Sequence, residues 1–338
     1  VINLIDNGGF TEATRGTTID ATSTVVQNDD DTYCLDRWVL LSDGDDIVDV
    51  TQQTAGGVNS EEDYIRLDVE TAQKKFGIFQ IIANDSCKSV LGESQVVSLS
   101  FEAKVSNAAR LSDIRAAVFA WNSTLDTVTS DIVSAWNAEG SVITPVANWT
   151  AENTAANLSV TTSWVKYSIQ NIAIDTSGAV NLGVFIYQNN VATNDTVTDT
   201  LEIANVQLEK GATASDFVYE NAATTRDICG NYYRQLGGLG NTDNSYCMTQ
   251  AFNTTQHYGH VHFKKMRRVP TITFSNVNQL RVHSASDVGT SSGITTNGTT
   301  NDNRFKIRIT GTGYTAGEAG LIQDDAGGGS FISISADL

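Results

Sequence analysis

The sequence of 338 residues is poor in proline, cysteine and charge. It has 2 prolines and 4 cysteines, and only 18% of its residues are charged. No run of about 18 apolar residues occurs, which excludes a membrane-spanning helix of ordinary length. Thr, Ser, Asn and Gly are abundant instead, a composition typical of short strands joined by turns and unfavourable for long helices. We therefore expect an all-β protein that does not insert into membranes.

The common catalytic motifs are also absent. There is no nucleophile elbow, HExxH, P-loop or GxGxxG pattern. All four histidines follow residue 256, and no partner for a Ser-His-Asp arrangement stands out near them. Acidic clusters at residues 29–31 and 43–46 lie in predicted turns, and spacing identifies no carboxylate pair of the kind that glycosidases hold about 5 to 9.5 Å apart. We predict that the protein is not an enzyme.

The cysteines form no CxxC pair. They are Cys34, Cys87, Cys229 and Cys247. An even number of cysteines is no evidence for disulfides in a chain of this length, so the first interpretation is four buried thiols in a protein made in a reducing cytosol. A Cys229–Cys247 bridge remains as the alternative.

Charge divides the chain near residue 222. Residues 1–222 hold 11 Lys and Arg against 31 Asp and Glu, whereas residues 223–338 hold 10 against 8. The acidic part repels phosphates, which argues against non-specific nucleic-acid binding, and the small excess of the second part is too weak to argue for it. We predict two domains, 1–222 and 223–338.

Strand patterns fill the first domain. Residues 97–105 alternate most clearly, with apolar side chains at every odd position, and residues 64–69 do the same. Residues 76–82 are more continuously apolar and are expected to be covered on both faces. Eight to ten such strands predict an antiparallel sandwich, and a phase slip within residues 201–208 predicts a bulge near Ala204 and Asn205.

The second domain has a different pattern. A short helix is predicted after Thr225, which would provide a hydroxyl cap. Strands are expected at residues 246–252, 258–263, 272–274, 304–309 and 330–334. Residues 288–303, rich in Gly, Ser, Thr and Asn, are predicted to form a loop.

Short motifs resemble one family. The chain is similar to bacteriophage tail-fibre and virion-appendage proteins in several short segments. These are the opening Asn3 to Thr18, YCLDRW (residues 33–38), VQLEKG (206–211), and Cys229 with the Tyr232-Tyr233 pair. Three further segments match that family in order: LSFEAKV (residues 99–105), TTSWVKYSI (161–169) and MRRVPTITF (266–274). The resemblance implies a jelly-roll β-sandwich similar to carbohydrate-binding modules, then a smaller β-rich domain that helps to form a homotrimer. It also implies a structural Ca²⁺ in the jelly roll, for which no ligands can be named.

The resulting functional hypothesis is a non-enzymatic structural protein of a tailed bacteriophage. It would be made in the bacterial cytoplasm, lie on the virion surface with other virion proteins, and bind host-surface polysaccharide. A capsid decoration protein (head fibre) is the first alternative, and a secreted carbohydrate-binding module is the second. No signal-peptide pattern is visible, and the sequence begins at Val1 rather than Met, which leaves both N-terminal processing and an incomplete N-terminus open.

Two tryptophans are the candidate glycan contacts. Trp136 and Trp149 lie in a polar insertion, residues 122–158, where no core periodicity requires them. Sugars stack their apolar faces on aromatic rings, so exposed tryptophans in a long insertion indicate a binding surface. Packing at the sandwich edge or against another subunit is the alternative. Trp38, Trp121 and Trp164 follow strand patterns and are predicted to be core.

The second candidate site is the pair His260 and His262. On a strand they project to the same side, and three chains around an axis would bring six imidazoles together. Iron-binding His-x-His motifs occur in trimeric phage fibres, so the resemblance implies a transition metal on a trimer axis. A chance pair of exposed histidines is the alternative.

Overall fold

The chain forms two compact units, Val1–Cys229 together with Leu338, and Gly230–Asp337. A computed structural model describes residues 2–59, 62–92, 95–190, 196–238, 245–276, 279–284, 288–298, 300–324 and 330–338. The fold is all-β, as predicted, with two short helices, α1 (Asn84–Cys87) and α2 (Ala222–Cys229). No helix in the described ranges is long and apolar enough to cross a membrane.

The first unit is a jelly-roll sandwich of two antiparallel six-stranded sheets. Its strands are β1 (Thr18–Ile19), β2 (Thr32–Tyr33), β3 (Val39–Ser42), β4 (Val48–Gln53), β5 (Tyr64–Val69), β6 (Phe76–Ile82), β7 (Val96–Val105), β8 (Ile114–Trp121), β9 (Val133–Ala135), β10 (Thr144–Pro145), β11 (Trp149–Ala151), β12 (Val165–Ala173), β13 (Asn181–Gln188) and β14 (Thr200–Lys210). The first sheet has the order β1-β4-β5-β14-β7-β12, and the second β11-β8-β13-β6-β3-β2. Strands β9 and β10 pair with each other.

Alternating side chains explain how the two sheets share one core. The apolar residues of β7 all point inward and are buried, as the alternation predicts: Val97, Leu99, Phe101, Ala103 and Val105. Every residue of β6 is buried, which confirms that this strand is covered on both faces. Its inner face meets the core, and its outer face lies in the second sheet beneath the insertion.

The predicted bulge in β14 is present. The register with β7 shifts between Ala204 and Gln207, and Asn205 adopts a positive φ of 52°. The helix prediction was displaced: α2 begins at Ala222 and belongs to the first unit. Its start is capped by Asn221, whose Oδ1 accepts the Ala223 N–H at 2.9 Å, whereas Thr225 lies inside the helix.

The second unit combines a closed six-stranded barrel with a three-stranded sheet. Its strands are β15 (Tyr233–Gly237), β16 (Ser245–Asn253), β17 (Gln256–His262), β18 (Thr271–Phe274), β19 (Leu280–Ser284), β20 (Val288–Thr296), β21 (Arg304–Thr312), β22 (Ala319–Asp324) and β23 (Phe331–Ser335). The barrel order is β16-β17-β21-β20-β19-β22, and the sheet is β15-β23-β18. The loop predicted at 288–303 is wrong for β20, because pairing with β21 makes a strand of this polar sequence, in which Ile294 packs into the core.

All four cysteines are free thiols. Cys34, Cys87 and Cys229 are buried, and burial raises the pKa of the Cys34 and Cys87 thiols to about 12. The Cys229–Cys247 bridge is not formed: Cys229 belongs to α2 of the first unit and Cys247 to β16 of the second. The interpretation as buried, unreactive thiols is the better one for the first three.

Candidate functional site

The outer face of the first sheet carries the polar side chains that strand alternation turns away from the core. In its centre, Glu102 of β7 lies opposite Lys166 of β12 on one side and Ala204 of β14 on the other. Residues 212–221, the connector, follow β14 and fold back over this face. Ser100 is only 1% exposed although it points outward, which is consistent with this cover.

The bulge in β14 places an amide between two acids. The Nδ2 group of Asn205 donates to Glu62 Oε2 at 3.0 Å and to Glu102 Oε2 at 2.6 Å. It also lies 3.4 Å from the hydroxyl of Tyr219 in the connector. Since a positive φ is tolerated by Asn better than by most residues, the backbone turn and the polar bridge both favour this residue type.

Side chains of β14 hold the connector in place. Gln207 accepts the Val218 N–H through Oε1 at 2.9 Å and donates to Ser215 Oγ through Nε2 at 3.1 Å. The Glu209 carboxylate accepts the backbone N–H of Ser215 at 2.6 Å. Lys166, across the sheet, donates to the Ser215 carbonyl. Side chains of β14 on one side and Lys166 of β12 on the other therefore hold the connector at Ser215, just before Phe217 and Tyr219.

A cleft of about 180 Å³ remains between the connector and the sheet. This connector cleft is lined by Ser100, Phe101, Glu102, Lys166, Asn205, Asp216, Phe217 and Tyr219. It offers acceptors, donors and aromatic surface together. It is smaller than the roughly 300 to 1,000 Å³ of pockets that enclose drug-sized ligands, so its size suits a single sugar ring or a short side chain.

Tyr219 is the aromatic group of the cleft that reaches solvent. Its side chain is 59% exposed, and every other aromatic side chain in the described part of the first unit is buried or half-buried. Phe217 packs edge-on against its ring, with centroids 4.9 Å apart and planes at 86°. The Tyr219 hydroxyl donates to Glu62 Oε1. The ring is thus held at its tip while one face stays accessible.

The two glutamates of the cleft differ in their electrostatics. Burial, with a smaller contribution from nearby Glu62, raises the pKa of Glu102 against the opposing hydrogen bond from Asn205. For Glu62, burial is outweighed by hydrogen bonds from Tyr219, Asn59 and Asn205, which lower its pKa. Burial and the bond to Glu62 raise the pKa of Tyr219 to about 12, so its hydroxyl stays a donor at neutral pH.

A pair of neighbouring carboxylates invites comparison with glycosidases. Because Glu62 Oε2 and Glu102 Oε2 both contact one nitrogen atom, the two carboxylates lie close together, as the carboxylates of a retaining pair do. However, the Asn205 amide lies between them, at the place where the oxygen of a scissile bond would have to sit. The Asn205 amide bridges the two carboxylates, and their remaining lone pairs can accept hydrogen bonds from a ligand.

Trp164 extends the polar face next to the cleft. It was predicted to be core, but it immediately precedes edge strand β12 and is half-buried on the outer side. Its Nε1 donates to the Gly56 carbonyl at 3.2 Å, and Tyr64 packs edge-on against it with centroids 5.2 Å apart. Lys104 lies 5.0 Å from its ring centroid.

The predicted glycan contacts Trp136 and Trp149 lie on the other sheet, away from this cleft. Trp149 is 3% exposed, so the expectation of an exposed ring there is wrong: it forms β11 and packs edge-on against Phe79. Trp136 is half-buried, 6.0 Å from Phe185. The outer face of the second sheet is aromatic, and the insertion buries it because leaving it in water would be unfavourable.

His260 and His262 project from the outside of the barrel on β17. Both are exposed, and their ring centroids lie 6.4 Å apart. Among the described residues no three His, Cys, Asp or Glu side chains converge on one point as a metal site requires. A metal at these histidines would need ligands from further chains, and both this metal and the jelly-roll Ca²⁺ stay predictions.

Sequence reasoning missed Glu62, Asn205 and Tyr219 as site residues. Two signals pointed toward them: the phase slip that located the bulge at Asn205, and the apolar pair Phe217 and Val218 within an otherwise polar connector. Neither signal shows which strand the connector covers, because that depends on sheet order.

No protein-family model matches the sequence, and no curated protein matches it. Solved structures give only distant likenesses. The enzymatically active domain of tailspike protein 4 from bacteriophage CBA120 aligns with 62% of this chain at 15% identity and a TM-score of 0.34, and the alignment takes in 21% of that chain. The CBM22-1 xylan-binding domain of Paenibacillus barcinonensis Xyn10C aligns over 97% of its own length with 63% of this chain, at 13% identity and a TM-score of 0.33. TmCBM61, solved with β-1,4-galactotriose, aligns over its full length with 62% of this chain, at 14% identity and a TM-score of 0.32. Likenesses this weak decide neither ligand nor activity.

Proposed function

We propose that the protein is a non-enzymatic virion-surface protein of a tailed bacteriophage whose first unit binds host glycan in the connector cleft. The observation that carries the binding proposal is Tyr219, an exposed ring held by Glu62 over a cleft with hydrogen-bonding groups. Sugar recognition needs this combination, because ring faces stack on the apolar side of a sugar while amides and carboxylates bind its hydroxyls.

The polar groups of the cleft suit sugar hydroxyls. Glu102 accepts hydrogen bonds, and Lys166, whose side chain is 36% exposed, donates them. Both are held by the sheet and by the connector before any ligand arrives, which reduces the entropic cost of binding. The bridging position of Asn205 supports binding without hydrolysis, since it occupies the space between the two acids.

The resemblance of the opening motif, of VQLEKG (residues 206–211) and of Cys229 with the Tyr232-Tyr233 pair supports the virion assignment and the homotrimer. In this proposal the second unit contributes to trimer formation, and His260 and His262 of three chains would meet on the axis if a metal is bound there. Sedimentation velocity of the purified chain, with and without EDTA, tests both points. A monomer in the absence of EDTA contradicts the homotrimer, and a trimer that EDTA leaves unchanged contradicts a metal that holds the three chains together.

The binding proposal is tested by adsorption to cells and to a glycan array. Purified protein is mixed with intact bacteria of candidate host strains, and the pelleted fraction and the protection from infection are scored. We expect Tyr219→Ala to weaken binding about tenfold or more, since burial of a large apolar surface such as this ring contributes roughly 1.5 to 3 kcal/mol and 1.4 kcal/mol is a factor of ten.

Two variants provide matched controls. Tyr219→Phe keeps the ring and loses the hydroxyl with its contacts to Glu62 and Asn205, so it should retain most of the binding. Trp136→Ala removes a tryptophan from the other sheet and should bind as the wild type does. Equal binding by Tyr219→Ala and wild type would exclude the connector cleft, and rebinding to stripped virus particles without any binding to cells would favour capsid decoration.

A further inference from the structure

The outside of the barrel carries a row of cations on an otherwise acidic protein. In the register of β17 and β21, His260 lies opposite Lys306 and His262 opposite Arg304, while Tyr258 lies opposite Arg308. Alternate residues of a strand point to the same side about 7 Å apart, so Arg304, Lys306 and Arg308 form one ladder. Strands β16, β17 and β21 contain neither Asp nor Glu.

Within the part of the chain that the structure describes, no carboxylate pairs with this basic ladder. Lys306 contacts the ring of Tyr258, with Nζ 4.4 Å from the centroid, and no salt bridge is formed by any of the three cations. The Nε group of Arg308 is buried and has no acceptor among the described residues. Three cations without a carboxylate partner favour an anionic ligand on this face.

An open groove of about 660 Å³ runs beside the ladder. Its lining includes Gln250, Phe252, Tyr258, His260 and Lys306. Phe252 is 71% exposed and packs edge-on against Tyr258, with centroids 5.8 Å apart. The groove thus combines exposed aromatic surface, an amide and positive charge, and its lining has no carboxylate.

We propose that this groove binds an acidic saccharide, a sugar chain that carries carboxylates. The carboxylate would be held by Lys306 and Arg304, the ring would pack on Phe252, and Gln250 would bind hydroxyl groups. This site is separate from the connector cleft, so it stands or falls independently of the glycan binding proposed for the first unit. It is an alternative to a metal at His260 and His262 on a trimer axis, because that arrangement would cover the same face of β17 and β21.

The charge of the whole chain argues for a ligand of moderate charge density. At a formal net charge of −18, the protein repels nucleic acid, which carries one negative charge per phosphate. An acidic polysaccharide with at most one carboxylate per sugar has a lower linear charge density than duplex nucleic acid, which carries one charge per about 1.7 Å, and it offers apolar ring faces to Phe252. A concave groove also fits a chain of sugars better than the flat surface of another folded domain.

The test uses the full chain and an oligogalacturonate, which has one carboxylate per sugar, with an oligogalactan as the neutral comparison. Affinity is measured by isothermal titration calorimetry at low salt and at about 0.15 M salt. We expect binding of the acidic oligomer alone, weaker at the higher salt. Lys306→Gln should weaken it about tenfold, the size of one charge-assisted hydrogen bond, and Arg304→Gln should act in the same direction.

Lys88→Gln is the matched control, since it removes the same charge from an exposed lysine of the first unit. It and Tyr219→Ala should stay within about twofold of the wild type. Equal affinities of Lys306→Gln and Lys88→Gln overturn the proposal, as does tighter binding of oligodeoxythymidylate than of oligogalacturonate. Loss of self-association in Lys306→Gln, without any saccharide binding by the wild type, would assign this face to a second copy and would likewise overturn it.

Discussion

Replacement of Asn205 measures how strongly the bridged glutamates hold the connector on the first sheet. The amide makes two hydrogen bonds to carboxylates, and a hydrogen bond to a charged group typically contributes about 1.5 to 3 kcal/mol. Glu62 and Glu102 are half-buried and regain water when the amide is removed, which reduces the loss. We therefore expect Asn205→Gly to lower the free energy of unfolding by about 2 kcal/mol.

Asn205→Ala separates the contribution of the backbone conformation to stability from that of the side chain. At a φ of 52°, an alanine Cβ adds a steric cost of about 1 kcal/mol that glycine avoids, so the alanine variant should lose about 3 kcal/mol. The difference in unfolding free energy between the two variants measures the steric cost at the bulge. The loss in the glycine variant measures the hydrogen bonds of the Asn205 amide.

Tryptophan fluorescence in guanidinium chloride is a suitable assay, because all five tryptophans lie in the first unit. The measurement is repeated near pH 4, where Glu102, whose pKa is raised by burial, loses its charge first. The cost of Asn205→Gly should shrink there, since one of its two hydrogen bonds no longer ends on a carboxylate. A glycine variant within about 0.5 kcal/mol of the wild type at pH 7 would refute this reasoning.

Three further substitutions test the sandwich. Gly77→Ala should cost about 3 kcal/mol in the same assay, because its Cβ would lie 2.4 Å from the Ile186 carbonyl oxygen; a cost below about 1 kcal/mol would contradict the close approach. Burial, followed by repulsion from Glu70 and other acids, raises the pKa of Asp49 from 3.8 to about 6, so the folded state disfavours its ionised form and stability falls as pH rises from about 4 through 6. Asp49→Asn should therefore raise the Tm at about pH 7.5 and leave it unchanged near pH 4; an equal gain at both pH values would contradict the assignment. Trp136→Ala should destabilise the first unit by about 2 kcal/mol in a calorimetric melt, through lost packing on Phe185, and an unchanged Tm would show that this packing contributes little.

Local patterns were sufficient where one strand's own alternation decides its orientation. The bounds of β5 and β6 agree with the predicted ranges, and the inward set of β7 is the predicted one. The bulge near Asn205 was also predictable, because a period-two pattern cannot change phase without an extra residue. These features depend on residues within about ten positions of one another.

Burial of the tryptophans and the pairing of β20 depended on residues far away in the chain. Trp149 is buried because Phe79, 70 positions before it, faces the same side of the second sheet. The polar run of β20 is a strand because β21 supplies its hydrogen bonds. Neither partner can be recognised from the local sequence.

By itself the sequence determined the all-β class, the inward faces of the long strands and the change of charge near residue 222. Only the tertiary structure decided the candidate sites, because Glu62, Glu102 and Asn205 meet through the order β5-β14-β7. The basic ladder likewise exists only in the register of β17 with β21. Alternation is a local consequence of backbone geometry, whereas sheet order is set by the burial of all strands together.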